Sequence, residues 1–120
     1  MKKFITISNT AELMYIAPEN IVFIEAEGNY SKITRANNTN YTFTIQLGQI
    51  EEMINSQLGT EGNIFIRIGR SYIINRAYIH QIHLTQKELV LSDARNFSHK
   101  LTASKDALKL LKELMDKENK

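Results

Sequence analysis

The sequence predicts a mainly β protein built from small antiparallel sheets, with a central helix and a C-terminal helix. Three observations carry that reading. Short runs with strand character dominate the first two-thirds of the 120 residues. Two segments, residues 46–58 and 104–118, switch to helical period. Strands and helices do not alternate along the chain, which argues against βαβ units and a doubly wound parallel sheet.

The elements follow in order. Ala17-Pro18-Glu19-Asn20 is a turn, because proline presets φ and asparagine tolerates turn dihedrals. Ile21-Val22-Phe23-Ile24 is a continuous apolar run, short enough for a buried strand. Asn37-Asn38-Thr39-Asn40 separates two extended runs, 29–36 and 41–45, as a hairpin loop does. In the second run Tyr41, Phe43 and Ile45 alternate onto one face. Leu47, Ile50, Ile54 and Leu58, with Met53 beside them, place an apolar stripe on helix 46–58, and Gly59 stops it. Further extended runs are 64–68, 71–74, 78–84, 87–91 and 95–101. In 104–118 the stripe is Leu108, Leu111 and Met115, widened by Ala107 and Leu114. Ser104 is placed to cap this helix, and Asp106 to meet its positive N-terminal dipole. The expected core is Phe23, Ile24, Phe43, Leu47, Ile54, Ile66, Ile73, Leu91, Leu108 and Leu111. Asn75, closing one run before the next begins, is read as structural, and Arg67, between two isoleucines, as paired inside or at a sheet edge.

With a single proline and no linker, repeat or low-complexity tract, one domain over 1–120 is expected. Apolar residues at 42% and charged residues at 23% are ordinary for a globular chain and argue against disorder. The absence of cysteine excludes disulfides, thiolate zinc sites and a cysteine nucleophile. No apolar run approaches the roughly 20 residues that span a bilayer, and the apolar stretch after Lys3 is too short and too broken for a signal peptide. A soluble cytoplasmic protein is expected.

Catalytic signals are poor. Gly69-Arg70-Ser71-Tyr72-Ile73 lacks the second glycine of a nucleophile elbow, and no P-loop or dinucleotide fingerprint occurs. His80 and His83 lie three apart on an expected strand, so they face opposite sides and no metal site is expected. Glu25 and Glu27 share a strand face, but without a third group they read as solvated charges rather than an acid–base pair. Neither an enzyme nor a cofactor is expected.

The basic residues say more. Net charge is +2, yet residues 65–112 hold nine Lys/Arg against three acids, whereas residues 1–64 hold four against seven. A concentrated positive half suits an anionic polymer. Three polar corners stand out. The first is Glu27-Gly28-Asn29-Tyr30-Ser31-Lys32, a turn between strands. In the second, Phe65-Ile66-Arg67-Ile68-Gly69-Arg70-Ser71-Tyr72, Gly69 permits a tight bend with Arg70 at its tip. The third is the start of the last helix, with Ser104 and Lys105 at an anion-favouring N-terminus. Lys105, Lys109 and Lys112 share one helix face, although Lys109–Glu113 and Lys112–Asp116 are also spaced as ordinary i, i+4 pairs.

These residues resemble a known family. Ile21-Val22-Phe23-Ile24-Glu25-Ala26-Glu27-Gly28-Asn29-Tyr30 is similar to the opening block, I-x-Y/F-I-E-A-x-x-N-Y, of the LytTR DNA-binding domain. Phe65-Ile66-Arg67-Ile68-Gly69-Arg70-Ser71-Tyr72-Ile73-Ile74-Asn75 resembles its second block, F-x-R-V-H-R-S-Y-I-V-N. The helix at 46–58 lies between them, as in the family, and the resemblance runs from about residue 5 to about residue 111. It implies an elongated arrangement of small antiparallel sheets and a bacterial response-regulator output domain. Such a domain regulates transcription by binding double-stranded DNA at direct-repeat promoter sites, with loops entering successive major grooves. By motif position it places Asn29, Tyr30, Ser31 and Lys32 in a first DNA contact, Arg70 and Ser71 in a second, and Ser104 and Lys105, beside Asp106, in a third. A homodimer on DNA and a separate sensor or regulatory protein are further partners it leaves open; no membrane is involved.

The chain departs from the pattern in places. Gly69 stands in place of the usual histidine, and Thr102-Ala103-Ser104-Lys105-Asp106 in place of P-V-S-R-R. Asp106 thus stands where the family often carries a base-reading arginine; an acid there repels phosphate or accepts from cytosine N4. Family members usually carry a receiver or a membrane sensor ahead of this domain. A first strand so soon after Met1 favours a stand-alone member. The competing reading is a protein-interaction module on the same fold that has lost DNA affinity; salt-sensitive retention on a DNA column separates the two.

Overall fold

The computed structural model describes residues 4–118, and the chain divides after Ala77 into two compact units. In the first unit β1 (Ile5–Ser8) and β2 (Leu13–Ile16) form an antiparallel hairpin. A 3-10 turn with Pro18 in its first turn leads into β3 (Ile21–Glu27), followed by β4 (Tyr30–Arg35), β5 (Asn40–Phe43), helix α1 (Leu47–Leu58), β6 (Phe65–Ile68) and β7 (Tyr72–Asn75). The last five strands make one antiparallel sheet in the order β5-β4-β3-β7-β6. The central place belongs to β3, which explains its unbroken apolar run: Ile21, Val22, Phe23 and Ile24 are all buried, so both faces of the strand are covered.

Helix α1 forms as its period requires. Gln46 N–H donates to the Gln49 side chain at its start, and Gly59, at φ +57°, donates its N–H to the Asn55 carbonyl at its end. Leu47, Ile50, Ile54 and Leu58 are buried with Ile24, Ile33, Phe43 and Ile73 of the sheet and Ile5, Ile7 and Ile16 of the hairpin in one cluster. Each such side chain contributes about 1.5–3 kcal/mol by leaving water.

The second unit is a three-stranded antiparallel sheet of order β10-β9-β8, made of β8 (Ile79–His83), β9 (Glu88–Ser92) and β10 (Ser98–Thr102), with α2 (Lys105–Glu118) against β8. Leu89, Leu91, Phe97, Leu101, Leu108 and Leu111 are its buried apolar side chains.

Mainly β architecture with two helices therefore stands as expected. Several local expectations do not. Ile66 is only half-buried, because β6 is the outer strand of its sheet. Tyr41 is exposed and Ile45 lies beyond the end of β5, so the alternation of 41–45 is only partly a strand. Leu114 is exposed on α2. Residues 93–97 form a turn rather than the start of a strand, with Ala94 at φ +66°. Among the described residues no helix is long and apolar enough to cross a membrane.

Candidate functional site

The first polar corner is a two-residue hairpin loop. Glu27 pairs with Tyr30, leaving Gly28 and Asn29 as the turn. Gly28 has φ +64°, the positive value that the first central position of a II′ turn demands. Nothing lies within 4 Å of where its Cβ would stand, so backbone conformation and not space selects glycine. The second corner is a three-residue loop, Gly69 to Ser71, between the paired Ile68 and Tyr72, with Gly69 at φ +55°.

The sheet order sets these two corners side by side. β3 pairs with β4 on one side and β7 on the other, and the β3–β7 ladder extends beyond Glu25–Tyr72 to an Ala26 N–H donating to the Ser71 carbonyl at 2.8 Å. Asn29, Tyr30, Arg70 and Ser71 are exposed there. Tyr30, 49% accessible, offers an open ring face. Among the described residues the Arg70 guanidinium has no ion pair or hydrogen bond, which leaves all of its donors available.

Arg67 is held differently, and as the sequence suggests. Its Nη1 donates to Glu51 Oε1 on α1 at 2.8 Å, and its Nε donates to the Gly69 carbonyl at 3.0 Å. One guanidinium thus ties the base of the Arg70 turn to the helix. Nothing in the spacing of the sequence shows that Glu51 meets this corner, because the contact joins a helix to a strand 16 residues away.

Two expected contact residues have other commitments. Ser31 is fully buried and donates its hydroxyl to the Ile45 carbonyl at 2.6 Å, so it braces the sheet and does not face a ligand. Its neighbours on β4 alternate outward, and Ser31 falls on the covered side. Lys32 Nζ lies 3.7 Å from Glu25 Oε1 and 3.9 Å from Glu27 Oε2. The two carboxylates therefore flank a lysine. Burial, and then the neighbouring Glu25 charge, push the Tyr72 hydroxyl above its ordinary value. At this end of the sheet Glu25 and Glu27 cancel the charges of Lys32 and Arg70.

The third corner lies in the second unit. Ser104 Oγ accepts the Ala107 N–H at 3.1 Å, the cap its position predicts, and Ser104, Lys105 and Asp106 are all exposed. Along the same helix Lys112 donates to Asp116 at 2.8 Å, and this bond pushes its ammonium above the ordinary value. In β8 a register irregularity between Ile79 and Gln81 breaks the alternation around His80. His83 Nδ1 accepts the Gln86 N–H, and among the described residues no cluster of His, Asp and Glu could hold a metal ion.

Comparison with known proteins agrees with this architecture. A family model described as the LytTr DNA-binding domain matches residues 11–116. A LytTr DNA-binding domain from Bacillus cereus is similar in fold, with a TM-score of 0.63 over 96% of this chain and 98% of that chain, at 19% sequence identity. No curated protein matches the sequence.

Proposed function

The chain belongs to the LytTR DNA-binding domain family, and on that premise we propose that it is a sequence-specific transcription regulator whose exposed corners enter successive major grooves of DNA. The observation that carries this reading is the pairing of the Gly28–Asn29 and Gly69–Ser71 turns at one end of a rigid sheet, with an unpartnered arginine at the tip of the second. The proposed contacts are Asn29, Tyr30, Arg70 and Ser71 in the first unit and Ser104 and Lys105 in the second, with Lys32 contributing a charge already shared with two carboxylates. Ser31, buried and bonded to the Ile45 carbonyl, is not among them. Asp106, exposed beside Lys105, suits a cytosine N4 donor better than a phosphate.

Because the charges of the paired corners cancel, this reading assigns them to base edges more than to phosphate attraction. Arginine's fork pairs bidentately with guanine O6 and N7. A DNA site is first selected from random fragments, and wild type and Arg70→Ala are then titrated against it at several salt concentrations. Loss of about 1–3 kcal/mol, with relaxed preference at one base pair, is the expected result. Even weakening across sequences, with a salt slope lower by about one, would reduce Arg70 to a phosphate contact. Unchanged affinity and slope would remove it from the interface. The reading invokes no catalytic step.

A further inference from the structure

We propose that a recess at the other end of the first unit's sheet binds a small aromatic carboxylate, its anionic group on Arg35 and its flat body against Tyr15. The recess has a volume of about 260 Å³ and is formed where Phe4 and the end of β2 meet the β4–β5 turn. That is below the roughly 300–1,000 Å³ of sites for drug-sized ligands, so its occupant is fragment-sized.

Three observations define the chemistry. Among the described residues Arg35 is the only charged one lining the recess, which therefore favours an anion. Arg35 also differs from two other arginines of this unit: Arg67 is bonded to Glu51 and Gly69 and Arg76 to the Asn63 carbonyl, but the Arg35 Nε–H is buried with no hydrogen-bond partner. No acceptor among the described residues claims that donor, and the residue as a whole is half-buried, so its guanidinium keeps a positive charge at the recess that a carboxylate matches with its planar fork. Finally, Phe4 and Tyr15 stack with ring centroids 4.6 Å apart and planes 7° from parallel, and Tyr15 remains 66% exposed. A rigid, exposed aromatic wall beside a cation selects a ligand that carries both a ring and a negative charge. The Asn20 and Asn37 amides complete the polar rim.

The site is separate from the proposed DNA contacts. β4 begins at the Gly28–Asn29 turn with Tyr30 and ends at Arg35, which pairs near Ile21 at the far end of β3. At about 3.3 Å per residue the two ends lie about 17 Å apart. The proposal therefore stands whether or not the chain binds DNA, and its test uses none.

The full chain is titrated with 2-naphthoate, with uncharged 2-naphthamide and with acetate, following the Arg35 Nε–H and the Tyr15 ring by NMR. Saturable shifts of both with 2-naphthoate are expected, with 2-naphthamide and acetate each weaker by about tenfold or more. Arg35→Gln should weaken 2-naphthoate by a similar factor, and Tyr15→Ala, at an exposed position, should weaken both naphthyl compounds. If Arg35→Gln does not fold, the comparison of 2-naphthoate with 2-naphthamide on wild type still decides the role of charge. Equal binding of those two overturns the carboxylate assignment, and acetate binding as tightly as 2-naphthoate overturns the aromatic one. Absence of saturable shifts at Arg35 and Tyr15 overturns the site.

Discussion

Asn75 shows how one side chain can hold a fold together without touching a ligand. It is 1% exposed; its Nδ2 donates to the carbonyls of Ile21 at 3.0 Å and Pro18 at 3.3 Å, and its Oδ1 accepts the Ala77 N–H. Asn75→Ala removes these hydrogen bonds, two of them buried, and should cost about 1–3 kcal/mol in urea unfolding, while the folded protein keeps its DNA affinity. Loss of DNA binding at unchanged stability would reverse that assignment. Asp93 makes a comparable knot in the second unit. Desolvation raises its carboxyl, but the N–H groups of Arg95, Asn96 and Phe97 and the Asn96 amide outweigh it and hold it down at about 2. A depressed carboxyl stabilises above its unfolded value of 3.8, and that contribution is lost as pH falls toward 2. Wild type should therefore lose more stability than Asp93→Asn between about pH 5 and pH 2, with a full urea titration at each pH; parallel curves would dismiss the linkage.

At the scale of elements, the corner that carries Arg70 is shaped by a strand, a turn and a helix together. Gly69 supplies the positive φ, and Arg67 closes the turn from β6 while gripping Glu51 on α1. Arg67 and Glu51 are both partly exposed, so their pair is worth about 0–1 kcal/mol to folding. Its effect should be local. Glu51→Gln should leave the unfolding midpoint nearly unchanged yet speed amide hydrogen exchange at Arg70 and Ser71 and weaken binding to a selected DNA site. If exchange at the turn is unaltered, the clamp does not order it.

For the molecule as a whole, the division after Ala77 changes how the charge is read. Residues 1–77 carry seven basic and seven acidic side chains and are neutral, and residues 78–120 carry eight and six, a net +2. The positive half seen along the sequence is therefore spread over both units. On the proposed reading the dependence of DNA affinity on salt counts the phosphates that individual lysines and arginines neutralise, not the net charge. If Lys105 neutralises one, Lys105→Ala should lower the salt slope by about 0.9. Arg70 and Lys105 share no partner, so the free-energy losses of the single variants should add in the double variant. Losses that do not add would mean that the two corners engage DNA as one unit.

Much of this protein is local and so is readable from residues alone. Helical stripes at 47–58 and 108–115, the Ser104 cap, and glycines at turns that need positive φ depend on neighbours within a few positions. The two motif blocks are likewise contiguous, and they suffice to reach the family. What the sequence does not resolve is which strand lies beside which. Ser31 is buried, Ile66 sits on an outer strand, and Asn75 reaches Pro18 and Ile21, all because β3 lies between β4 and β7. In the β1–β2 hairpin Ile5-Thr6-Ile7-Ser8 alternates, but its partner Leu13-Met14-Tyr15-Ile16 is a continuous apolar run that leaves Leu13 and Tyr15 exposed, so β2 has no alternation to announce it. Arg67 meets Glu51 across a separation of 16 residues, and the two turns become neighbours through a ladder between distant segments. Periodicity and turn chemistry act over one or two turns of chain, whereas burial and partnership follow from long-range strand order, and only the tertiary structure decides that.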